Sequence, residues 1–206
     1  LRPAFIKVLR NEVQVVETVM AINPDDAYDV LAINAASMST QISGLPFSGP
    51  IGGTRISLID GQWVAFPPWS EMEKSVFNMV VAGRIVTDAD GNEDVAVMMV
   101  EAGGGDNQWE LIQAGAVKPT EAVVAEGLEA AKPFIKVLCE AQLAVAAQAA
   151  KETKEFPLFF DYTDEELTAV QHEVGDRLQK ALLTEGKLAR EEAIGEVRDL
   201  VLGKLI

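Results

Sequence analysis

The chain has 206 residues, of which 49% are hydrophobic, and its formal net charge at pH 7 is −15. This length and composition allow one sizeable core with a smaller helical appendage, and no uncharged apolar run reaches the roughly 18 residues of a membrane span. The acidic excess argues against a free-standing nucleic-acid-binding module, because such modules neutralise phosphates with Lys and Arg.

Basic residues and cysteine are sparse. The only basic run contains Arg2, Lys7 and Arg10, and a solvated helix face is its simplest interpretation. The single cysteine, Cys139, cannot form an internal disulfide, which fits a reducing cytoplasm. Leu1 is not an initiator methionine and the last residues are apolar, so we expect the sequence to be a fragment.

The N-terminal part predicts a strand followed by a helix. Residues 12–22 are rich in β-branched side chains and partly alternating, which predicts a half-buried strand. Asn23 and Pro24 fit the N-cap and first position of a helix that runs to about Ser43. Its small residues predict close packing against a neighbouring element, and Gly44 with Pro46 predicts a sharp end.

The next part predicts a sheet and then helices. Residues 54–59 and 62–66 are predicted to form a hairpin that turns at Asp60-Gly61. Residues 76–82 and 94–101 are predicted to pair around a polar loop, with a flexible joint at glycines 103–105. Beyond Asp106 the hydrophobic period becomes helical. Helices are predicted at 108–114, at 120–151 with a kink or break at Pro133, from a capping box beginning at Thr163, and at 187–205. The predicted fold class is therefore α+β.

Reactive side chains do not form a recognisable catalytic motif. His172 is the only histidine and lies far from Cys139 in sequence, so neither fits a nucleophile–base pair. No Walker loop, dinucleotide fingerprint or Cys/His metal cluster occurs. Residues 49–53 lead into a strand instead of opening a helix, which favours tight packing over a phosphate cradle.

One acidic loop has a spacing similar to that of a weak calcium site. It lacks a complete EF-hand pattern, so a solvated hairpin loop is the preferred interpretation. Its carboxylates are those of Asp88, Asp90, Glu93 and Asp94.

Several segments together carry a family resemblance. They are LRP at 1–3, NEVQVV at 11–16, AAS at 35–37, SGLPFSGPIG at 43–52, MVVAG at 79–83 and AEGLEAAKPF at 125–134. In order and spacing they closely resemble the bacterial polynucleotide phosphorylase family. The resemblance implies that residues 1–150 are the latter part of a first ribonuclease-PH-like core domain (ribosomal protein S5 domain 2-like), incomplete at its N-terminus. Residues 151–206 are then an all-helical linker domain, also expected to be incomplete.

The resemblance also implies an activity for the parent protein. Members of the family are homotrimeric, cytoplasmic enzymes that degrade RNA from its 3′ end with inorganic phosphate, release nucleoside diphosphates and run in reverse as polymerases. Partners in an RNA-degradation complex are implied, and a membrane is not. Mg²⁺ or Mn²⁺ is expected at a site outside this sequence, with none bound by the sequence itself.

At the positions that matter for catalysis, this sequence departs from the family pattern. The second core of the family carries a Gly-Ser phosphate loop and an Asp-x-Asp-x-Lys strand just before Val-Ala-Gly. Here the second metal aspartate falls on Asn78 and the lysine on Val80, so metal-assisted chemistry cannot be centred on this strand. The phosphate loop falls near residues 24–29, where Asp25, Asp26 and Asp29 would repel phosphate. We therefore expect a degenerate scaffold and RNA-channel half that is inactive alone, with no catalytic or metal-binding residue.

Arg2 is the single substrate-binding residue that the resemblance predicts. It matches the second arginine of the family's Arg-Pro-Leu-Arg-Pro segment, which faces the substrate channel, and a guanidinium can grip phosphate bidentately. A structural ion pair is the alternative. A different hypothesis makes the region a regulatory, partner-docking or nucleotide-binding module on the helical tail. It includes guanosine pentaphosphate synthesis by the parent protein, by family analogy alone.

Overall fold

The chain divides into two units, Leu1–Pro157 and Leu158–Ile206, in a computed structural model that describes residues 1–205. The first unit contains a 3-10 turn at Arg2–Ala4, α1 (Asp29–Gln41), β1 (Gly52–Ile59), β2 (Gln62–Ala65), a second 3-10 turn at Trp69–Lys74, β3 (Ser75–Thr87), β4 (Glu93–Gly104), α2 (Gln108–Gln113) and α3 (Glu121–Ala149). The second unit contains α4 (Asp164–Val174), α5 (Arg177–Leu182) and α6 (Lys187–Leu205). The fold is α+β, as predicted.

The four strands form one antiparallel sheet in the order β2-β1-β3-β4. The predicted hairpin is confirmed, because Ile59 pairs with Gln62 across the turn. Both turn residues have positive φ, 49° at Asp60 and 77° at Gly61. A two-residue turn with this geometry matches the twist of the strands that it joins, and aspartate and glycine tolerate it best.

The main core lies between the sheet and α3. The side chains at its centre are fully buried and come from β1, β3 and α3: Ile56, Met79, Val81, Ile135 and Cys139. The α3 helix continues through Pro133, where the sequence predicted a kink or a break. Its apolar stripe therefore covers the sheet without interruption.

Two adjacent glycines let helices approach β1 from opposite faces. A Cβ atom at Gly52 would lie 2.7 Å from the carbonyl oxygen of Ile135 in α3, and one at Gly53 would lie 2.9 Å from Cγ2 of Ile33 in α1. Neighbouring residues of a strand point to opposite faces, so α3 and α1 pack on opposite sides of β1. The Gly-Gly pair at the start of this strand is thus a packing feature, as the sequence predicted.

Small side chains also fasten α1 to the start of β1. The fully buried Ser37 accepts a hydrogen bond from the Ile51 amide at 2.8 Å. Asn34 accepts from the Gly53 amide and donates to the Gly53 carbonyl, both at 2.9 Å. The partners in these hydrogen bonds are backbone N–H and C=O groups. Short polar side chains of α1 therefore hold the helix close to the strand and provide hydrogen-bond partners for backbone groups at the start of β1.

The prediction of a strand at residues 12–22 is wrong. This segment belongs to no strand and is mostly exposed, with Val16 at 75% and Met20 at 94% relative exposure. A β-strand requires a second strand to pair its N–H and C=O groups. The described sheet ends at β2 and β4, and neither pairs with residues 12–22. The flexible joint predicted at glycines 103–105 is not observed as such, because β4 continues to Gly104.

The capping box that opens α4 is confirmed. The Thr163 hydroxyl accepts a hydrogen bond from the Glu166 amide at 3.2 Å, and the Glu166 carboxylate accepts one from the Thr163 amide at 2.7 Å. Both orphan N–H groups are thereby satisfied. Across residues 1–205, none of the helices combines the length and apolar character that crossing a membrane requires.

Candidate functional site

Arg55 is the centre of a polar cluster on the α1 side of the sheet. It lies on β1 directly opposite Val80 of β3, and its side chain is only 13% exposed. Its guanidinium forms an ion pair with Asp29 at the start of α1 and donates to Oδ1 of Asn78 at 2.8 Å. The guanidinium also lies 5.4 Å from the ring centroid of Trp69. Three partners from three elements therefore hold one largely buried cation.

This cluster unites two positions that the family pattern separates in sequence. The resemblance predicts that Asp29 lies in the segment that corresponds to the phosphate loop and that Asn78 replaces a metal-binding aspartate. Arg55 joins them, and sequence analysis did not identify it as a site residue. One feature of the sequence could have pointed to Arg55, because it is the only charged residue in the eight-residue strand β1.

The cluster does not fit a divalent metal. Among residues 1–205, Asp29 is the one carboxylate paired with Arg55, and its charge is therefore already engaged with the guanidinium. Asn78 offers a neutral amide, whereas Mg²⁺ sites in enzymes are usually built on carboxylates. In the described part of the chain, no group of three or more His, Cys, Asp or Glu residues could hold a metal ion.

A cavity of about 520 Å³ lies beside the cluster. Its walls carry two further acidic side chains, Glu73 and Asp106, and its only basic side chain is Arg55. The remaining lining residues are Trp69, Met72, Asn78, Gly104, Gly105 and Asn107. With the Arg55 charge already neutralised by Asp29, the electrostatics of this cavity disfavour a phosphate group.

The aspartates of the segment before α1 are engaged with protein groups. Asp25 accepts hydrogen bonds from the Ser70 amide at 2.7 Å and the Ser70 hydroxyl at 2.8 Å. Asp26 accepts one from the Asn23 side chain at 2.9 Å. The predicted helix start at Asn23 and Pro24 is therefore wrong. Residues 23–26 instead form a turn, in which Asp25 binds the second 3-10 turn and Asp26 binds Asn23. The α1 helix begins only at Asp29.

Arg2 lies in the first 3-10 turn with an exposed side chain. Among residues 1–205, its guanidinium makes no hydrogen bond and no ion pair. The structural ion pair considered as the alternative is not formed within the described chain. Lys7 and Arg10 are exposed as well, but they lie beyond this turn and outside any helix, so the helix-face interpretation is wrong.

Cys139 and His172 lie in different units of the chain. Cys139 is completely buried, with Sγ 3.7 Å from the Pro50 carbonyl oxygen, and burial raises the pKa of its thiol. A thiol in this state is a poor nucleophile. His172 is exposed on α4 beside Glu173. Within the first unit, the Cys139 Sγ faces the backbone carbonyl oxygens of Pro50 and Gly83.

The acidic loop between β3 and β4 uses its carboxylates separately. Asp88 accepts from the amides of Asp90 and Asn92, and hydrogen bonds led by the Asn92 side chain lower the pKa of Asp88. Glu93 and Asp94 at the start of β4 instead pair with Lys136 and Lys132 of α3, at 3.0 and 3.1 Å. The carboxylates therefore close a hairpin loop and fasten α3 to the sheet.

Comparison with known proteins covers the whole chain. It is 61% identical over 206 residues to a polyribonucleotide nucleotidyltransferase of Beutenbergia cavernae and 62% identical over 206 residues to one of Kineococcus radiotolerans. These alignments span 100% of this chain and 27% and 28% of the two relatives. A protein of the same name from Bifidobacterium longum subsp. infantis is 60% identical over 98% of this chain and 22% of its own length.

No family model matches the chain. The chain spans about a quarter of the length of the curated relatives that it matches. The sequence similarity nevertheless runs from one end of the chain to the other at about 60% identity, well above what fold similarity alone would give. From end to end, the chain therefore matches a segment of the proteins named polyribonucleotide nucleotidyltransferase at about 60% identity.

Proposed function

We propose that this chain is part of a phosphorolytic exoribonuclease. Such a protein attacks RNA from its 3′ end with inorganic phosphate, releases nucleoside diphosphates and can join them in the reverse reaction. The observation that carries the proposal is the end-to-end similarity to proteins named polyribonucleotide nucleotidyltransferase. In this proposal the protein is a cytoplasmic homotrimer with partners in RNA degradation, and its Mg²⁺ or Mn²⁺ site lies in a second core domain outside residues 1–206.

Within that protein, this chain serves as a scaffold and as part of the RNA channel. Residues 1–150 belong to the first core domain and residues 151–206 to a helical linker; the division between the two units, after Pro157, supports such a boundary. The Asp29–Arg55–Asn78 cluster supports a catalytically silent half. In this cluster an arginine, paired with a carboxylate, contacts the two residues that the resemblance matches to the phosphate loop and to a metal-binding aspartate.

Arg2 is the residue of this chain that contacts RNA or phosphate. Its exposed guanidinium has no partner in the described chain, so binding a phosphate breaks no existing ion pair. Contact through one local arginine is also compatible with a net charge of −15, since the rest of the acidic surface stays away from the polyanion.

Incubating the chain with single-stranded RNA, inorganic phosphate and Mg²⁺ tests the scaffold role. We expect no nucleoside diphosphate by chromatography. Release of nucleoside diphosphates by residues 1–206 alone would refute a silent half. Saturable binding of a guanine nucleotide to residues 158–206, mapped by hydrogen exchange on the whole chain, would favour the regulatory hypothesis instead.

The RNA contact is tested with Arg2→Gln and fluorescence anisotropy of a labelled oligoadenylate. We expect binding to weaken roughly threefold to tenfold, the loss that corresponds to one hydrogen bond of ordinary strength at an exposed site. The slope of log affinity against log salt should become shallower by about 0.7, the value for one phosphate contact to a single strand. Arg198→Gln is the matched control, because it removes the same charge from an exposed ion pair with Asp199 on α6. Equal binding by both variants would contradict the role of Arg2.

A further inference from the structure

The turn that carries Arg2 is fastened to the rest of the first unit through Ser48. The Ser48 amide and the Ser48 hydroxyl both donate to the carbonyl oxygen of Ala4, at 2.8 and 2.9 Å. Ala4 is the last residue of the 3-10 turn and is only 1% exposed. Two donors on one carbonyl fix the end of the turn against the segment that precedes β1.

Arg84 of β3 completes this connection. Its Nη1 donates to both the carbonyl oxygen and the hydroxyl oxygen of Ser48, each at 3.2 Å. The single hydroxyl proton of Ser48 is already donated to Ala4, so the lone pairs of that oxygen are available to the guanidinium. A cation on the oxygen polarises the O–H group and strengthens the hydrogen bond that it donates. Arg84 therefore ties the sheet, through Ser48, to the turn.

The fastening continues to the backbone of Arg2. The Phe5 amide donates to the Arg2 carbonyl at 3.1 Å, and the Phe5 ring packs against the Phe47 ring with centroids 5.2 Å apart. The backbone of Arg2 is thus held, while its side chain remains exposed. Because the backbone is already held, less conformational entropy is lost when the guanidinium binds a ligand.

We infer that Arg84 is a positioning residue for the RNA contact at Arg2. It acts through Ser48 and Ala4, which hold the turn so that the Arg2 guanidinium faces a phosphate of single-stranded RNA. This inference rests on the function proposed above for Arg2. It assigns to Arg84 and Ser48 a role that follows from their hydrogen bonds and not from direct contact with the substrate.

A double-mutant cycle with labelled oligoadenylate separates positioning from direct contact. We expect Arg84→Gln and Ser48→Ala each to weaken binding roughly twofold to fivefold. Ser48→Ala is decisive because it changes no charge. In the Arg2→Gln background, both substitutions should change binding by less than about 1.5-fold, since they act through a side chain that is gone. Arg198→Gln supplies the control for lost charge.

The outcomes distinguish failure of this inference from failure of the proposed function. If Arg2→Gln leaves binding unchanged, the proposed contact at Arg2 is wrong and the positioning role is overturned with it. If Arg2→Gln weakens binding but Ser48→Ala does not, the positioning role alone is overturned. An effect of Arg84→Gln that persists in the Arg2→Gln background also overturns it, because Arg84 then contacts RNA itself. Faster hydrogen exchange of the Ser48 and Phe5 amides in Arg84→Gln supports the inference.

Discussion

Removing the carboxylate of Asp29 tests the buried cluster around Arg55. Asp29→Asn keeps the size of the side chain but removes the negative charge that is paired with the Arg55 guanidinium, which is 13% exposed and also contacts Asn78 and the Trp69 ring. Breaking a fully buried ion pair costs about 3–5 kcal/mol, and an exposed pair contributes about 0–1 kcal/mol. Asp29 is 41% exposed, so water can partly replace it. We expect a loss of about 1–2 kcal/mol, between these limits.

Tryptophan fluorescence during urea unfolding measures this loss. The three tryptophans, at positions 63, 69 and 109, all lie within Leu1–Pro157, so the signal reports that unit. With a slope of about 2 kcal/mol per molar urea, the midpoint should fall by about 0.5–1 M. Asp90→Asn is the control. Its side chain is exposed in the β3–β4 loop, and a change within about 0.5 kcal/mol is expected.

The stability losses from substitutions at Asp29 and at Arg55 should also be coupled. In a double-mutant cycle with Arg55→Met, the double variant should lose less unfolding free energy than the two single variants lose together. The difference should be at least about 1 kcal/mol. An apolar side chain removes the buried charge that Asp29→Asn leaves unpaired. If Asp29→Asn unfolds at the same urea concentration as Asp90→Asn, or if the coupling is zero, the ion pair does not hold this cluster.

Three further changes test separate features. Gly127→Ala should destabilise the first unit by about 1–3 kcal/mol in urea, because the added Cβ would lie 2.5 Å from the Trp63 ring. This loss should exceed the gain from the better helix propensity of alanine. A gain in stability would contradict the close packing at Gly127. Thr163→Ala should cost about 1 kcal/mol by thermal circular dichroism, whereas Thr163→Ser should retain most of the cap, and equal melting of the two variants would refute it. Hydrogen bonds from the Val95 amide and, second, from the Lys132 ammonium lower the pKa of Asp94. The contribution of Asp94 to stability is therefore present above its unfolded-state pKa of about 4 and is lost as the pH falls through its folded-state pKa. The urea midpoint of Asp94→Asn should therefore depend less on pH between about pH 6 and about pH 3 than that of the parent chain, and an identical dependence would argue against this ion pair.

Local sequence was sufficient wherever the stabilising groups are near neighbours in the chain. The Asp60-Gly61 turn was predictable because two consecutive residues adopt the required positive φ. The α4 capping box was predictable because its two partners are three residues apart. Both predictions are confirmed by hydrogen bonds or dihedral angles within a few residues.

Residues 12–22 show where local sequence was insufficient. Their alternation and β-branching favour an extended conformation, but a strand needs the N–H and C=O groups of a partner strand. In the described chain no strand pairs with them, and Met20 is 94% exposed. Asn23 and Pro24 show a similar limit, because Asn23 binds Asp26 and the helix begins five residues later than Pro24, at Asp29.

The sequence by itself determined the α+β class and the similarity to polyribonucleotide nucleotidyltransferases, and it led to the prediction that Asn78 and Val80 replace a metal-binding aspartate and a lysine. These conclusions need only residue identity and spacing. Only the tertiary structure decided that Arg55 joins Asp29 to Asn78, and that Ser48 links Arg84 to the turn of Arg2. Such contacts join residues 23 to 44 positions apart and depend on which strand faces lie together. Sheet pairing and helix packing set those faces, and no periodicity within a single segment can encode them.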